Sequence, residues 1–370
     1  MEPRNLPGKT WLWQVGKKIL TPYFFNHFSL WGEGEIPSPP FLLIANHLSA
    51  LDPFFIDALL PYPVVWVANR LIFQHPVLGP LIRAMDAIPK RKVLPDYCAA
   101  RNIIRVIEKG GVVGLFPEGG IPWNGVSQSA APGTDKLLAR IRVPVVFARI
   151  QGAWLRKPLW ADHARSGPVS IRFTVLSDDP LAFFQHSEWE WQRKTWTPFL
   201  GERRAEGIER VVFFCPLCHA FRSIQGMGNR VICFSCGSQW FIDEYGFING
   251  CTQRDFAKEQ EKLLTSFCET RGRMVFSRAL VTERTHPEGH LKRFFFSPII
   301  VEEEGLRLHD ELFPFSQIRG ENTFLKKVLE FTVGKHLIRI HTEKDAFLLW
   351  NVIRLWKMLS SLSLEDVAAL

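Results

Sequence analysis

Over the first two hundred residues, short apolar runs alternate with amphipathic stretches. Residues 41–45, 112–116 and 143–148 are nearly continuous apolar runs, the pattern of strands buried on both faces. Between them, 54–60, 97–108 and 134–141 carry apolar positions at helical spacing, and Gly110-Gly111 ends the second. The alternation predicts an α/β domain over 32–205, a central sheet flanked by helices. Beyond 209 the pattern changes. Residues 224–233, with Gly226 and Gly228, read as a hairpin, and Trp240-Phe241-Ile242 as a further strand. A connecting helix over 251–274 carries Phe256, Leu263, Leu264 and Phe267 on one period. From 275 to 362 the chain predicts a β-rich barrel-like domain. Its strands are expected at 279–284, 291–296, 299–302, 306–308, 313–318, 328–333 and 337–340, before a closing amphipathic helix over 344–359.

Composition places this pattern in a setting. The chain has 370 residues, enough for two or more domains. Its net charge of +8 favours anionic surfaces, and 30 Phe and 13 Trp against 4 Tyr lean toward a membrane interface. No apolar run reaches the ~18 residues of a membrane-spanning helix. Residues 1–31 set Trp11, Leu12, Trp13, Val15, Ile19 and Leu20 beside Lys9, Lys17 and Lys18, then Tyr23, Phe24, Phe25 and Trp31. This leader fits either an interfacial helix lying among lipid headgroups or a helix packing on the domain. Trp189, Trp191 and Trp196 among Arg193, Lys194, Arg203 and Arg204 form a second aromatic-basic stretch.

Two short motifs carry chemistry. Asn46-His47 is followed five residues after the histidine by Asp52, and Phe116-Pro117-Glu118-Gly119 stands 64 residues further on. Alone, His-x4-Asp is a loop histidine and a helix cap. Both motifs in this order resemble the glycerolipid, PlsC-like acyltransferase family, whose best-known members acylate 1-acylglycerol-3-phosphate. The resemblance implies that His47 is the general base and Asp52 its orienter. Imidazole suits that role, with an unperturbed pKa of about 6.5. Asp52-Pro53 is expected to be a helix N-cap followed by proline. Asp86-Ala87-Ile88-Pro89-Lys90-Arg91 resembles the family's phosphate-contacting block, which puts Arg91, helped by Lys90, on the acceptor phosphate. Phe116, Pro117, Glu118 and Gly119 fall on the substrate side. Residues 143–148 resemble the fourth block, with Phe147 where the family usually has proline. After Gly119 this chain reads Gly120-Ile121-Pro122 where the family commonly has Thr-Arg-Ser, which puts the acceptor headgroup in question.

Four of the seven cysteines form two Cys-x2-Cys knuckles, Cys215/Cys218 and Cys233/Cys236, separated by 14 residues. Over 209–250 this spacing predicts a zinc ribbon with one structural zinc and no open coordination position. Thiolate zinc suits a reducing compartment. Cys98, Cys251 and Cys268 are read as packing thiols. The C-terminal strands and final helix resemble a pleckstrin-homology-like domain by pattern alone.

Together these features predict a peripheral enzyme at the cytoplasmic face of the cell membrane. It would move an acyl group from acyl-coenzyme A or acyl carrier protein to a lysophospholipid hydroxyl on an anionic membrane surface. Nucleic acid is not expected as a partner. Two alternatives stay open: acylation of another lysolipid or an amino-lipid, and a non-catalytic zinc-ribbon adaptor.

Overall fold

The computed structural model describes every residue except 1–6, 9, 75–77, 91–95, 177–184, 286–290, 325 and 366–370. The chain divides into two compact units. The first is drawn from Met1–Leu159, Ala164–Gly201 and Glu244–Gly246, the second from Trp160–His163, Glu202–Asp243 and Phe247–Leu370.

The first unit is built on a seven-stranded mixed sheet. Its strands are β1 (Trp31–Gly34), β2 (Phe41–Ala45), β3 (Val64–Asn69), β4 (Ile88–Lys90), β5 (Val112–Leu115), β6 (Val145–Gln151) and β7 (Ser170–Leu176), in the order β1-β7-β6-β2-β5-β3-β4. Only the β6–β7 pair is antiparallel. All five residues of β2 are buried, as a strand covered on both faces must be. The helices are α1 (Trp11–Phe28), α2 (Asp52–Leu59), α3 (Leu78–Ala84), α4 (Tyr97–Glu108), α5 (Thr134–Leu138), α6 (Ala153–Arg156) and α7 (Glu188–Thr195). The α4 helix starts where Asp96 Oδ1 accepts the Ala99 amide, and buries Ala99, Ile103 and Ile107. Those residues pack on Leu42, Ile44, Val113, Leu115 and Phe147 from one face of the sheet. Phe147, of the fourth block, is therefore a core residue, 1% exposed.

The leader helix α1 packs one side on its own unit, as the second expectation had it. Phe24 and Phe28 are buried against Phe54 and Phe55 of α2. Trp11, Val15, Ile19 and Tyr23, four residues apart, stand exposed in a line. The second aromatic stretch is also divided: Trp189 is buried against Trp154 and donates to the Asn124 carbonyl at 2.7 Å, while Trp196 is exposed.

The second unit holds a three-stranded antiparallel sheet of β8 (Ile224–Met227), β9 (Arg230–Cys233) and β10 (Gln239–Phe241). Helices α8 (Gln253–Phe256) and α9 (Gln260–Arg271) lead to a curled antiparallel sheet. Its strands are β11 (Arg273–Arg284), β12 (Leu291–Glu302), β13 (Gly305–Leu308), β14 (Glu311–Pro314), β15 (Ile318–Phe324), β16 (Val328–Val333) and β17 (His336–His341), and α10 (Ala346–Glu365) closes it. Leu348, Leu349, Val352, Ile353 and Trp356 of α10 share its core with Phe213 and Phe214, which precede the first knuckle.

The connecting helix expected over 251–274 is two helices, α8 and α9, and three strand boundaries differ from expectation, the first because β11 already begins at Arg273 rather than at 279. The runs at 291–296 and 299–302 are one strand, because the register of β11 shifts between Phe276 and Ala279 opposite Pro298. A bulge takes up the missing proline N–H, so the strand continues. The run at 313–318 is instead the end of β14, a 3-10 turn at Phe315–Gln317 and the start of β15.

Candidate active site

The parallel strands β2, β3, β4 and β5 end on one edge of the sheet, where loops of such sheets collect ligand-binding groups. His47 leaves the end of β2 and Phe116-Pro117-Glu118 the end of β5. The geometry joins the two motifs closely. His47 Nδ1 lies 2.9 Å from Asp52 Oδ2. The same carboxylate oxygen accepts the amides of Leu48 at 2.6 Å and Ser49 at 2.8 Å. Asp52 is fully buried; burial pushes its pKa up, while the His47 contact and the two amides pull it down. Asp52 was expected to cap its own helix. It stands instead as the first residue of α2, after an N-cap at Leu51 that makes no side-chain cap bond. Its side chain turns back into the loop, since three donors gather there.

Glu118 binds this loop from the other strand. Its Oε1 accepts the His47 amide and its Oε2 the Gln128 amide, both at 2.9 Å. The side chain is 6% exposed, and burial lifts its pKa to about 8 against those two donors. Asn46 makes a third tie. Its amide group donates to the Ile150 carbonyl at 2.9 Å and accepts the Ile150 N–H at 2.8 Å, clipping the loop to β6. Asn46 was visible only as the histidine's neighbour in the motif.

The remaining expected site residues fall as follows. The Phe116 ring stacks on the His47 imidazole, with centroids 4.3 Å apart and planes 22° from parallel. Pro117 is buried, and its carbonyl accepts the Ala131 amide. Gly119 has φ +72°, the left-handed region that favours glycine, and no atom stands within 4 Å of where a Cβ would lie. After it, Pro122 accepts the Trp154 indole N–H at 2.8 Å, and Gly125 packs so close to the Trp154 ring that a Cβ would sit 2.9 Å from it. Lys90 ends β4, half-buried, its pKa lowered by that burial and raised in part by Asp96. Arg91 lies outside the described residues.

The geometry also brings in residues that sequence reasoning missed. The indole of Trp66 also stacks on Phe116, 5.2 Å away and 8° from parallel, and its N–H donates to Asp57 Oδ2 at 3.1 Å. These contacts cross β3, β5 and α2, and no local spacing announces them.

Within the second unit the four cysteine sulfurs lie within 4.8 Å of one another. Cys215 Sγ is 3.8 Å from Cys236 Sγ, and Cys218 Sγ is 3.7 Å from Cys233 Sγ. Four thiolates around tetrahedral zinc at about 2.3 Å stand about 3.8 Å apart. The spacing is far beyond the ~2.05 Å of a disulfide. The amides of Leu217 and Cys218 both point at Cys215 Sγ, at 3.4 and 3.5 Å, as suits a thiolate. The donor set thus fits zinc. Of the other thiols, Cys268 is buried in the core, whereas Cys98 and Cys251 are exposed and do not pack.

A model of the acyltransferase family matches residues 28–150. Among curated proteins, a 1-acyl-sn-glycerol-3-phosphate acyltransferase of Limnanthes alba is 27% identical over 143 residues, 37% of this chain and 51% of that protein. One from Bacillus subtilis (strain 168) is 25% identical over 80 residues, 21% of this chain and 40% of that protein. The chain therefore spans about half the length, or less, of these relatives. The solved 1-acyl-sn-glycerophosphate (LPA) acyltransferase PlsC of Thermotoga maritima is similar at 19% identity and a TM-score of 0.38. That match covers 46% of this chain and 71% of the other.

Proposed function

Taking residues 28–150 as an acyltransferase-family domain, we propose that the chain transfers a fatty acyl group from a thioester to a lysophospholipid hydroxyl. The donor is acyl-coenzyme A or acyl carrier protein, and 1-acylglycerol-3-phosphate is the first-ranked acceptor. The observation that carries this reading is the His47–Asp52 pair at 2.9 Å, with Asp52 fixed by two amides. Bonding Nδ1 to Asp52 makes Nε2 the nitrogen that accepts the acceptor's hydroxyl proton. The hydroxyl oxygen attacks the thioester carbonyl, the C–S bond breaks as the tetrahedral intermediate collapses, and the protonated imidazole returns its proton to the leaving sulfur. The ester and the free thiol are the products, and no covalent acyl-enzyme intervenes. Backbone amides of the turn at Gly119 are assigned to the oxyanion, and donors of this kind contribute about 10²–10³ in rate.

Arg91 and Lys90 are assigned to the acceptor phosphate. Glu118, Phe116, Pro117 and Gly119 shape the substrate side, Glu118 by holding the His47 amide. Zinc on Cys215, Cys218, Cys233 and Cys236 would supply folding energy to the second unit. The exposed line Trp11, Val15, Ile19 and Tyr23 supports a peripheral position on a membrane, and the net charge of +8 is the ground for assigning it to an anionic surface, here taken as the cytoplasmic face. Among the described residues no helix is long and apolar enough to cross a membrane.

A second acceptor reading has its own support. Gly120 and Ile121 offer neither the hydroxyl nor the cation of the family's usual block, which leaves room for acceptors with larger headgroups. The test is thiol release from an acyl thioester across a panel of lysolipids, with the ester product identified. Turnover highest with 1-acylglycerol-3-phosphate supports the first reading and turnover highest with a headgroup-bearing lysolipid the second. No turnover with any acceptor favours the zinc-ribbon adaptor.

A further inference from the structure

The α2 helix carries two carboxylates five residues apart, and the structure closes a ring of side chains between them. Asp52 Oδ2 holds His47 Nδ1 at 2.9 Å, and the imidazole stacks on Phe116 with centroids 4.3 Å apart. Phe116 stacks on Trp66 at 5.2 Å, and the Trp66 indole N–H returns to α2 through Asp57 Oδ2 at 3.1 Å. The two ends of the stack are thus anchored on one rigid element.

Three features show that the ring is built in rather than incidental. Gly114 on β5 has no side chain where Trp66 crosses it, and a Cβ there would lie 2.6 Å from the indole. Lys17 of α1 directs its ammonium to the carbonyls of Asp57, Ala58 and Leu60, at 2.8, 2.8 and 2.7 Å, fixing the C-terminal end of α2. The second oxygen of Asp57 is shut off from solvent without a hydrogen-bond partner, so the carboxyl is committed to the indole. Desolvation pushes its pKa up to about 7, against the pull of Trp66 and Lys17.

Asp52 constrains His47 at a single ring atom and leaves the imidazole plane free to swing about that contact. A flat aromatic face against the ring removes the swing. We propose that Trp66 and Asp57 are positioning residues for His47: the indole, held by Asp57, backs Phe116 and so fixes the imidazole plane that accepts the hydroxyl proton. The proposal rests on the reading of His47 as the general base.

The test uses the full chain and four variants, Trp66→Leu, Trp66→Phe, Asp57→Leu and Asp57→Asn. Steady-state kcat and KM are measured together with the ¹H–¹³C spectrum of labelled histidines, in which His47 is assigned by its loss in His47→Ala. Trp66→Leu and Asp57→Leu should lower kcat about 10-fold or more while KM for the acceptor changes less than about twofold, because attack geometry rather than binding is disturbed. Trp66→Phe keeps a ring and Asp57→Asn keeps an acceptor oxygen, so both should recover most of the lost kcat. The His47 ring signal should shift in the two Leu variants and move back in the conservative ones. Folded Leu variants with wild-type kcat and an unmoved His47 signal would overturn the proposal, as would a loss confined to KM. Wild-type protein that turns over no acceptor would instead overturn the assignment of His47 as base. The His47 signal would then still decide whether the ring holds the imidazole.

Discussion

Replacing Glu118 by Gln isolates what a buried carboxyl does to the loop that carries His47. In the wild type both oxygens accept amides, from His47 and Gln128, each at 2.9 Å. Gln keeps one oxygen for the first and turns an amino group toward the second, leaving one buried N–H without an acceptor, a loss of about 1–3 kcal/mol. The pH dependence runs the other way. Burial raises the folded-state pKa from 4.5 to about 8. The folded protein therefore keeps a proton that the unfolded chain releases near the ordinary carboxyl value, and stability falls as pH rises through that window. One group contributes up to about 1.4 kcal/mol per pH unit, so the fall between pH 5 and pH 7 amounts to about 2–3 kcal/mol. A neutral glutamine side chain at this position has no such slope. Asp57 acts with the same sign up to about pH 7, but it is present in both proteins and cancels in the difference. Urea and thermal melts at pH 5, 6, 7 and 8 give that difference directly. The Glu118→Gln variant should be the less stable protein at pH 5 and should draw level with or pass the wild type by pH 7–8. Parallel stability curves across this range would show that Glu118 does not hold a proton that the unfolded chain releases.

Two further outcomes follow from the same structure. The purified chain should hold one zinc per molecule under reducing conditions, and Cys215→Ser or Cys233→Ser should lose it together with amide protection over 209–250; metal analysis that returns none would remove the metal from the account. Replacing Trp11, Val15 and Ile19 by Ser spares Tyr23, which packs on Phe24 and Phe28, and should weaken binding to anionic vesicles at least several-fold, with wild-type binding itself weakened by salt; unchanged binding would place the membrane contact elsewhere.

The parts of this protein that could be read from its sequence are those written in short spacings. His47 with Asp52, and Cys215 with Cys218, are each joined by one turn, so residue type and spacing nearly determine the contact. The second knuckle follows across a hairpin whose glycines mark it. Strands buried on both faces, such as β2, were visible as unbroken apolar runs. Legibility ends where a contact crosses the sheet. Trp66 reads as one more apolar residue in β3, and only the absent side chain of Gly114 lets it reach Phe116. Asp57 reads as a polar position on an amphipathic helix. Pro298 suggested a strand end, but whether proline breaks a strand depends on the partner's register, and β11 bulges to meet it. Asp52 read as a cap because Asp-Pro opens helices, yet three donors in the preceding loop compete for it and win.

The central claim is that His47, oriented by Asp52, moves the proton in acyl transfer to a lipid hydroxyl. Its most direct test is a side-by-side assay of wild type, His47→Ala and Asp52→Asn with an acyl thioester and 1-acylglycerol-3-phosphate, following free thiol and diacylated product together. The wild type should release one thiol per ester formed, folded His47→Ala should lose about 10³-fold or more, and Asp52→Asn should show a smaller loss of turnover with lipid binding retained. Near-wild-type turnover by His47→Ala would contradict it.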